Sequence, residues 1–192
     1  MKNKKLLYIV QAALIAALYI VLTMLVKPIA SGPLQFRVSE ALVLLPAFLP
    51  AAIPGLWLGC VLANVLTGYG WVDIVFGGGA TLLAALTVRF AAKKAGLLPE
   101  EQERILSRRE LSKRKGVWLL PLAPVLFNGL IVGAYLPIFF PSGTDRAIWA
   151  AVLISMGQVA FSEAVVVYVL GIPFYLALHP YFCRRKDQIA VI

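Results

Sequence analysis

Apolar and polar positions in this chain come in long blocks rather than in residue-by-residue alternation. Residues 6–26 form an uncharged apolar run, about 31 Å long as a helix and enough to cross a hydrocarbon layer. Lys2, Lys4 and Lys5 precede it. The run is long for the apolar part of a secretion signal and further runs follow, so a retained first helix is expected. Its Ala12/Ala16 and Ala13/Ala17 pairs have the spacing that lets a second helix approach closely, either inside the protein or on a partner. Residues 27–35, with Pro28, Gly32 and Pro33, read as a loop. Residues 38–66 carry one charge, Glu40, and are broken by Pro46, Pro50 and Pro54. Two full spans need about 40 residues, so this block is either one broken crossing or two short ones folded at a proline elbow. Residues 71–92, 117–139 and 148–178 are three more runs, the last with a kink expected at residues 171–173.

Charge decides how often the broken block crosses. If it crosses twice, fifteen of the 18 Lys and Arg fall on one side, and Lys27, Arg37 and Arg146 on the other. If it crosses once, the basic loop at 93–116 and the basic tail change sides. Cytoplasmic loops carry the excess of Lys and Arg, which selects two crossings. The expected fold is therefore all-α: a polytopic membrane protein of six transmembrane helices with both termini cytoplasmic. It forms a single domain over 1–192, with short second and third helices joined at the proline-rich elbow. In the cytoplasmic loop, residues 99–115 are expected to form an amphipathic surface helix.

Composition agrees. Of 192 residues, 61% are hydrophobic, with mean hydropathy +0.87, more apolar surface than a soluble domain of this size can hide. A net charge of +9 is often a nucleic-acid signal. Here the bases sit at run ends and in one loop, where lipid headgroups meet them, so the bilayer is the expected partner and nucleic acid is not. The two cysteines and the one histidine, His179, suggest neither disulfide nor zinc site, and no cofactor or metal is expected. No P-loop is present, so the chain does not hydrolyse ATP by itself.

Candidate chemistry lies in the polar residues that fall within apolar runs, because such groups are costly there and need a partner or a ligand. Three of the nine acids are so placed: Glu40, Asp73 and Glu163. With six crossings, Glu40, Asp73 and Asn64 lie near the outer helix ends, Asn128 near mid-membrane, and Glu163 at or below that level. The set opens outward and closes inward, as a site loaded from outside would. Ser155, Gln158 and Ser162 share one helix face, with Glu163 one step away. Structural alternatives stand beside these readings. Arg37 and Glu40 are spaced to pair at a helix start, Asp73 to favour a helix N-terminus, and Asn64 and Asn128 to bond between helices. The Gly77-Gly78-Gly79 run lacks a following Lys-Ser/Thr and reads as close helix packing rather than a phosphate cradle.

Several stretches resemble the queuosine-precursor transporter (QueT) family: Gln-Phe-Arg-Val-Ser-Glu-Ala-Leu (35–42), Pro-Ala-Ala-Ile-Pro-Gly-Leu (50–56), Gly-Cys-Val-Leu-Ala-Asn (59–64), Asp-Ile-Val-Phe-Gly (73–77), Phe-Asn-Gly-Leu-Ile-Val-Gly (127–133) and Glu-Ala-Val-Val-Val-Tyr-Val-Leu-Gly-Ile-Pro (163–173). The resemblance spans most of the chain and omits the loop 93–116 and the tail. It implies a substrate-binding (S) component of an energy-coupling factor transporter in the bacterial plasma membrane. A scaffold membrane subunit and two ATPase subunits would then do the work, and Ala12, Ala13, Ala16 and Ala17 would form the docking face. The implied ligand is 7-aminomethyl-7-deazaguanine, whose ammonium and guanine edge each suit a carboxylate. Glu163 is expected at the guanine edge, and Glu40 or Asp73 at the ammonium. Asn128, Asn64 and Gln158 are expected at the remaining edge groups, Phe36 or Trp71 on the ring face, and Arg37 at the same site. Rival expectations are an S component for another vitamin or nucleobase-like nutrient, and a stand-alone proton-coupled transporter using Glu163 as relay. An intramembrane enzyme has no Ser/His pair or metal cluster to support it.

Overall fold

The computed structural model describes residues 4–27, 36–68, 70–102, 105–140 and 147–185. The expected loop at 27–35, Arg146 and the basic tail from residue 186 fall mostly or wholly outside them. The described residues are helical, with no strand among them. Helix α1 is Lys4–Val26, followed by a 3₁₀ segment, Val38–Ala47, and by α2, Ala52–Thr67. Helix α3 opens with the π turn Asp73–Gly77 and continues as Gly78–Lys94. A short α4, Arg108–Ser112, precedes α5, Lys115–Phe139, and α6, Ile148–Arg184. Four of these helices, α1, α3, α5 and α6, are long and apolar enough to cross a membrane, while Val38–Ala47 and α2 are shorter apolar helices. The chain is a multi-pass membrane protein.

The elbow region explains how so short a block covers so much depth. A 3₁₀ helix rises about 2.0 Å per residue against 1.5 Å for an α-helix, so ten residues reach about 20 Å rather than 15. Both ends of Val38–Ala47 are tied. Thr23, near the end of α1, shares a hydrogen bond with Ser39, their hydroxyl oxygens 2.9 Å apart. At the other end, Arg89 of α3 donates to the Pro46 carbonyl at 3.2 Å. The segment therefore runs from the far end of the bundle to the basic end. Phe48 anchors the elbow there, stacked on Tyr175 at 4.7 Å and on Phe182 at 5.3 Å. Helix α2 then returns alongside α1. Their contact is made by Gly55 and Gly59, where an added Cβ would lie 2.7 Å from the Ala12 carbonyl and 3.1 Å from Ala16 Cα. Two helices this close need glycine on one side.

At the basic end the loop folds inward instead of lying on a surface as one amphipathic helix. Leu97, Leu98, Leu106 and Leu111 are buried in the main core. Among the described residues between 99 and 114, only a 3₁₀ turn, Pro99–Glu101, and α4 are helical. The physical reason is local. Gly96 turns the chain at φ 62°, and Ser107 starts α4 afresh with a capping box to Glu110. Gln102 and the Leu97 carbonyl each lie 3.2 Å from His179 Nε2, fastening the loop to α6.

Candidate functional site

Three π turns shape the interior: Asp73–Gly77 in α3, Asn128–Val132 in α5 and Val167–Gly171 in α6. A π turn adds a residue to the helix and re-aims the face that follows, which is why such turns recur at functional sites. Each one here is linked to a residue singled out above. Asp73 and Asn128 open their turns, and the Glu163 carbonyl accepts from Val167 N–H where the third begins. The turns of α3 and α5 pack on each other, and that of α6 packs on the 3₁₀ segment carrying Glu40. Gly129 and Gly133 let α5 press on α6. Added Cβ atoms would lie 2.9 Å from Ala160 Cβ and 2.5 Å from Met156 Cα. This contact carries Asn128 towards Glu163.

Glu40, Asn128 and Glu163 meet at one buried place, exposed by 1%, 5% and 5%. Asn128 lies beside both carboxyl groups, and the two acids sit within each other's electrostatic range. Tyr19 of α1 donates to Glu40 Oε1 at 2.5 Å. Glu40 Oε2, Asn128 Nδ2 and Glu163 Oε1 have no hydrogen-bond partner although all three are buried. Unpaired buried polar atoms are rare and costly in folded proteins, so three of them on residues that lie together call for a ligand or water. Chemically it offers two carboxylate acceptors and one amide donor.

Asp73 belongs to a neighbouring cluster. Its Oδ1 accepts from Tyr135 at 2.5 Å and lies 4.0 Å from Arg37 Nη2. Asn64 uses its amide nitrogen to bond the Asp73 carbonyl at 2.7 Å, which locks α2 to α3. Gly77 leaves room for this: a Cβ there would lie 3.1 Å from Asn64 Nδ2 and 3.9 Å from Arg37 Nη1. Gly78 packs against Val61 in the same way, whereas Gly79 faces open space. The glycine run is thus a packing feature at two of its three positions. Arg37 is the cation that the acids share, within electrostatic range of both Glu40 and Glu163. Glu163 therefore has a basic neighbour that its own stretch of sequence does not reveal.

The remaining expected residues divide. Phe36 is half-buried beside Arg37 in the lead-in to the 3₁₀ segment. Trp71 is 65% exposed and packs edge-on against Phe139 at 6.1 Å, on the outside of the bundle. Gln158 is half-buried on α6, about 140° around the helix from Glu163. Ala12 and Ala16 are buried against α2, while Ala13 and Ala17 are exposed. Two members of the site were missed from sequence: Tyr19, 21 residues from Glu40, and Tyr135, 62 from Asp73. No local spacing signals bonds across such separations.

The profile of the QueT transporter family matches residues 9–180. A protein of Lactococcus lactis subsp. cremoris, named queuosine precursor transporter QueT, is 42% identical over 85 residues. That stretch covers 43% of this chain and 50% of the relative, so the match spans about half the length of the curated protein. No solved structure matches.

Proposed function

The chain belongs to the QueT transporter family, and from that premise we propose that it captures a queuosine precursor, 7-aminomethyl-7-deazaguanine, for import across the bacterial plasma membrane. The observation that carries the reading is the trio of unpaired buried atoms, Glu40 Oε2, Asn128 Nδ2 and Glu163 Oε1. A 7-deazaguanine edge presents two adjacent N–H donors and a carbonyl acceptor. Glu163 takes the donors as a charge-assisted pair, and the Asn128 amide donates to the carbonyl. The aminomethyl group is a cation at neutral pH and goes to Glu40. Asp73 is less available, because Tyr135 and Arg37 already engage it. Phe36, next to Arg37 and half-buried, stacks on the ring in preference to the outward-standing Trp71.

In this reading the protein is the S component of an energy-coupling factor transporter with six crossings and both termini cytoplasmic. The 3₁₀ segment counts as the second crossing and α2 as the third. The bundle's two ends differ in charge as the positive-inside rule requires. It is not an enzyme: a scaffold subunit and two ATPase subunits supply the work, and the scaffold docks on α1, where Ala13 and Ala17 are exposed.

Mass spectrometry of small molecules that copurify with the full-length protein tests the substrate. The expected ion is 7-aminomethyl-7-deazaguanine, confirmed by its displacement with added synthetic compound. A different copurified nutrient, displaced in the same way, would overturn the assignment. Uptake that needs a proton gradient but no ATPase subunit would overturn the S-component role.

A further inference from the structure

Glu40 and Glu163 are both buried carboxylates beside Asn128, yet they differ in one respect that bears on what each can bind. Glu40 is pinned. Tyr19 donates to its Oε1 at 2.5 Å, and that oxygen is committed. The neighbouring Ser39 is held through Thr23, which also bonds the Tyr19 carbonyl at 2.8 Å. The Tyr19 ring is itself fixed. It is buried, and its Cβ lies 2.8 Å from where Gly59 would carry one, so α2 closes over it. A carboxylate with one oxygen already engaged presents one fully open acceptor oxygen. It fits a compact ammonium, which needs no particular plane, better than a parallel pair of N–H groups, which needs both oxygens.

We infer that Tyr19 is a positioning residue that makes Glu40 a one-oxygen cation site and thereby sets the ligand-charge preference of the pocket. The inference rests on the capture of a 7-deazaguanine proposed above. Without the hydroxyl, Glu40 is free to turn. Its second oxygen then competes for the donors that Glu163 takes, and the ammonium loses a fixed partner. The effect falls on the cationic ligand and spares a neutral one that never used Glu40.

Isothermal titration of the purified full-length protein with cationic 7-aminomethyl-7-deazaguanine and its neutral 7-cyano analogue reads this directly. Tyr19→Phe keeps the ring against Gly59. It should weaken the cationic ligand about tenfold, the scale of one charge-assisted hydrogen bond, and the neutral one by less than about twofold. In a Glu40→Gln background, Tyr19→Phe should change neither ligand by more than about twofold, since no anionic carboxylate remains to be positioned. Tyr19→Met, also without a hydroxyl, should repeat the selective loss if Tyr19→Phe does not fold. Equal losses for both ligands would make Tyr19 a packing residue and overturn the inference. So would an unchanged preference in a variant that binds. Wild-type protein that binds neither compound would overturn the capture reading itself, and this inference with it.

Discussion

A carboxylate buried in a membrane protein is held there by what it meets, and the three buried acids among the described residues meet different things. Asp73 has Tyr135 and Arg37, and Glu40 has Tyr19 on one oxygen. Glu163 keeps Oε1 without a partner while 5% exposed. Substitution should expose the difference. Glu163→Gln keeps the shape but turns one acceptor into a donor that faces the ligand's N–H groups. The mismatch should cost about 2–4 kcal/mol, or roughly 30- to 1,000-fold in affinity. Glu40→Gln should weaken the cationic ligand more than its neutral 7-cyano analogue, whereas Glu163→Gln should weaken both alike. Titration calorimetry of the two variants checks this, and a Glu163→Gln affinity within about threefold of wild type would remove Glu163 from the guanine edge. The acids and Asn128 were legible in the sequence because a polar group in an apolar run stands out by its cost. Their tyrosine partners were not. Tyrosine is at home in such runs, and only the fold shows which hydroxyl reaches which acid.

At the scale of elements, the site depends on close helix contacts that glycines permit. The α5–α6 contact is the tightest, with an added Cβ at Gly133 falling 2.5 Å from Met156 Cα, a backbone atom that cannot turn away. Gly133→Ala must therefore push the helices apart, at about 1–3 kcal/mol for overpacking, and shift Asn128 relative to Glu163. A lower melting temperature and weaker ligand binding are expected together. Gly79→Ala is the control. Nothing lies within 4 Å of the added Cβ, and alanine is the better helix former by about 1 kcal/mol. It should bind normally and melt no lower than wild type, and a loss equal to that of Gly133→Ala would refute the steric account. The three prolines did mark the break between Val38–Ala47 and α2. The 3₁₀ form of the first piece was hidden, because a stretch buried all round carries no helical period to read. The π turns were hidden for the same reason: an apolar run looks alike whether its turns hold 3.6 residues or one more.

At the scale of the whole molecule, α1 has two unlike faces, and the alanines are divided between them. Both small-residue pairs looked alike in sequence, since spacing alone does not say which face turns inward. Ala12 and Ala16 meet Gly55 and Gly59 of α2, and Tyr19 on the same face reaches Glu40. Ala13 and Ala17 are exposed, flanked by the exposed Ile9, Leu14 and Leu18. In the transporter proposed here, a scaffold helix lies along that outer face. Ala13→Trp should then block docking and abolish uptake, while ligand affinity of the isolated protein stays within about twofold, because an indole in the outer groove touches nothing around Glu40. Ala16→Trp should act differently. Its indole must displace the α2 backbone, which lies close enough that a Cβ on Gly59 would come within 3.1 Å of Ala16 Cα. The damage should appear in the isolated protein as a lower melting temperature and weakened binding, before any partner is added. Measuring uptake in cells beside binding in detergent separates the two faces. Normal uptake by Ala13→Trp would show that the scaffold docks elsewhere. Normal binding and melting of Ala16→Trp would mean that the inner face tolerates a separation from α2 that its backbone contacts forbid.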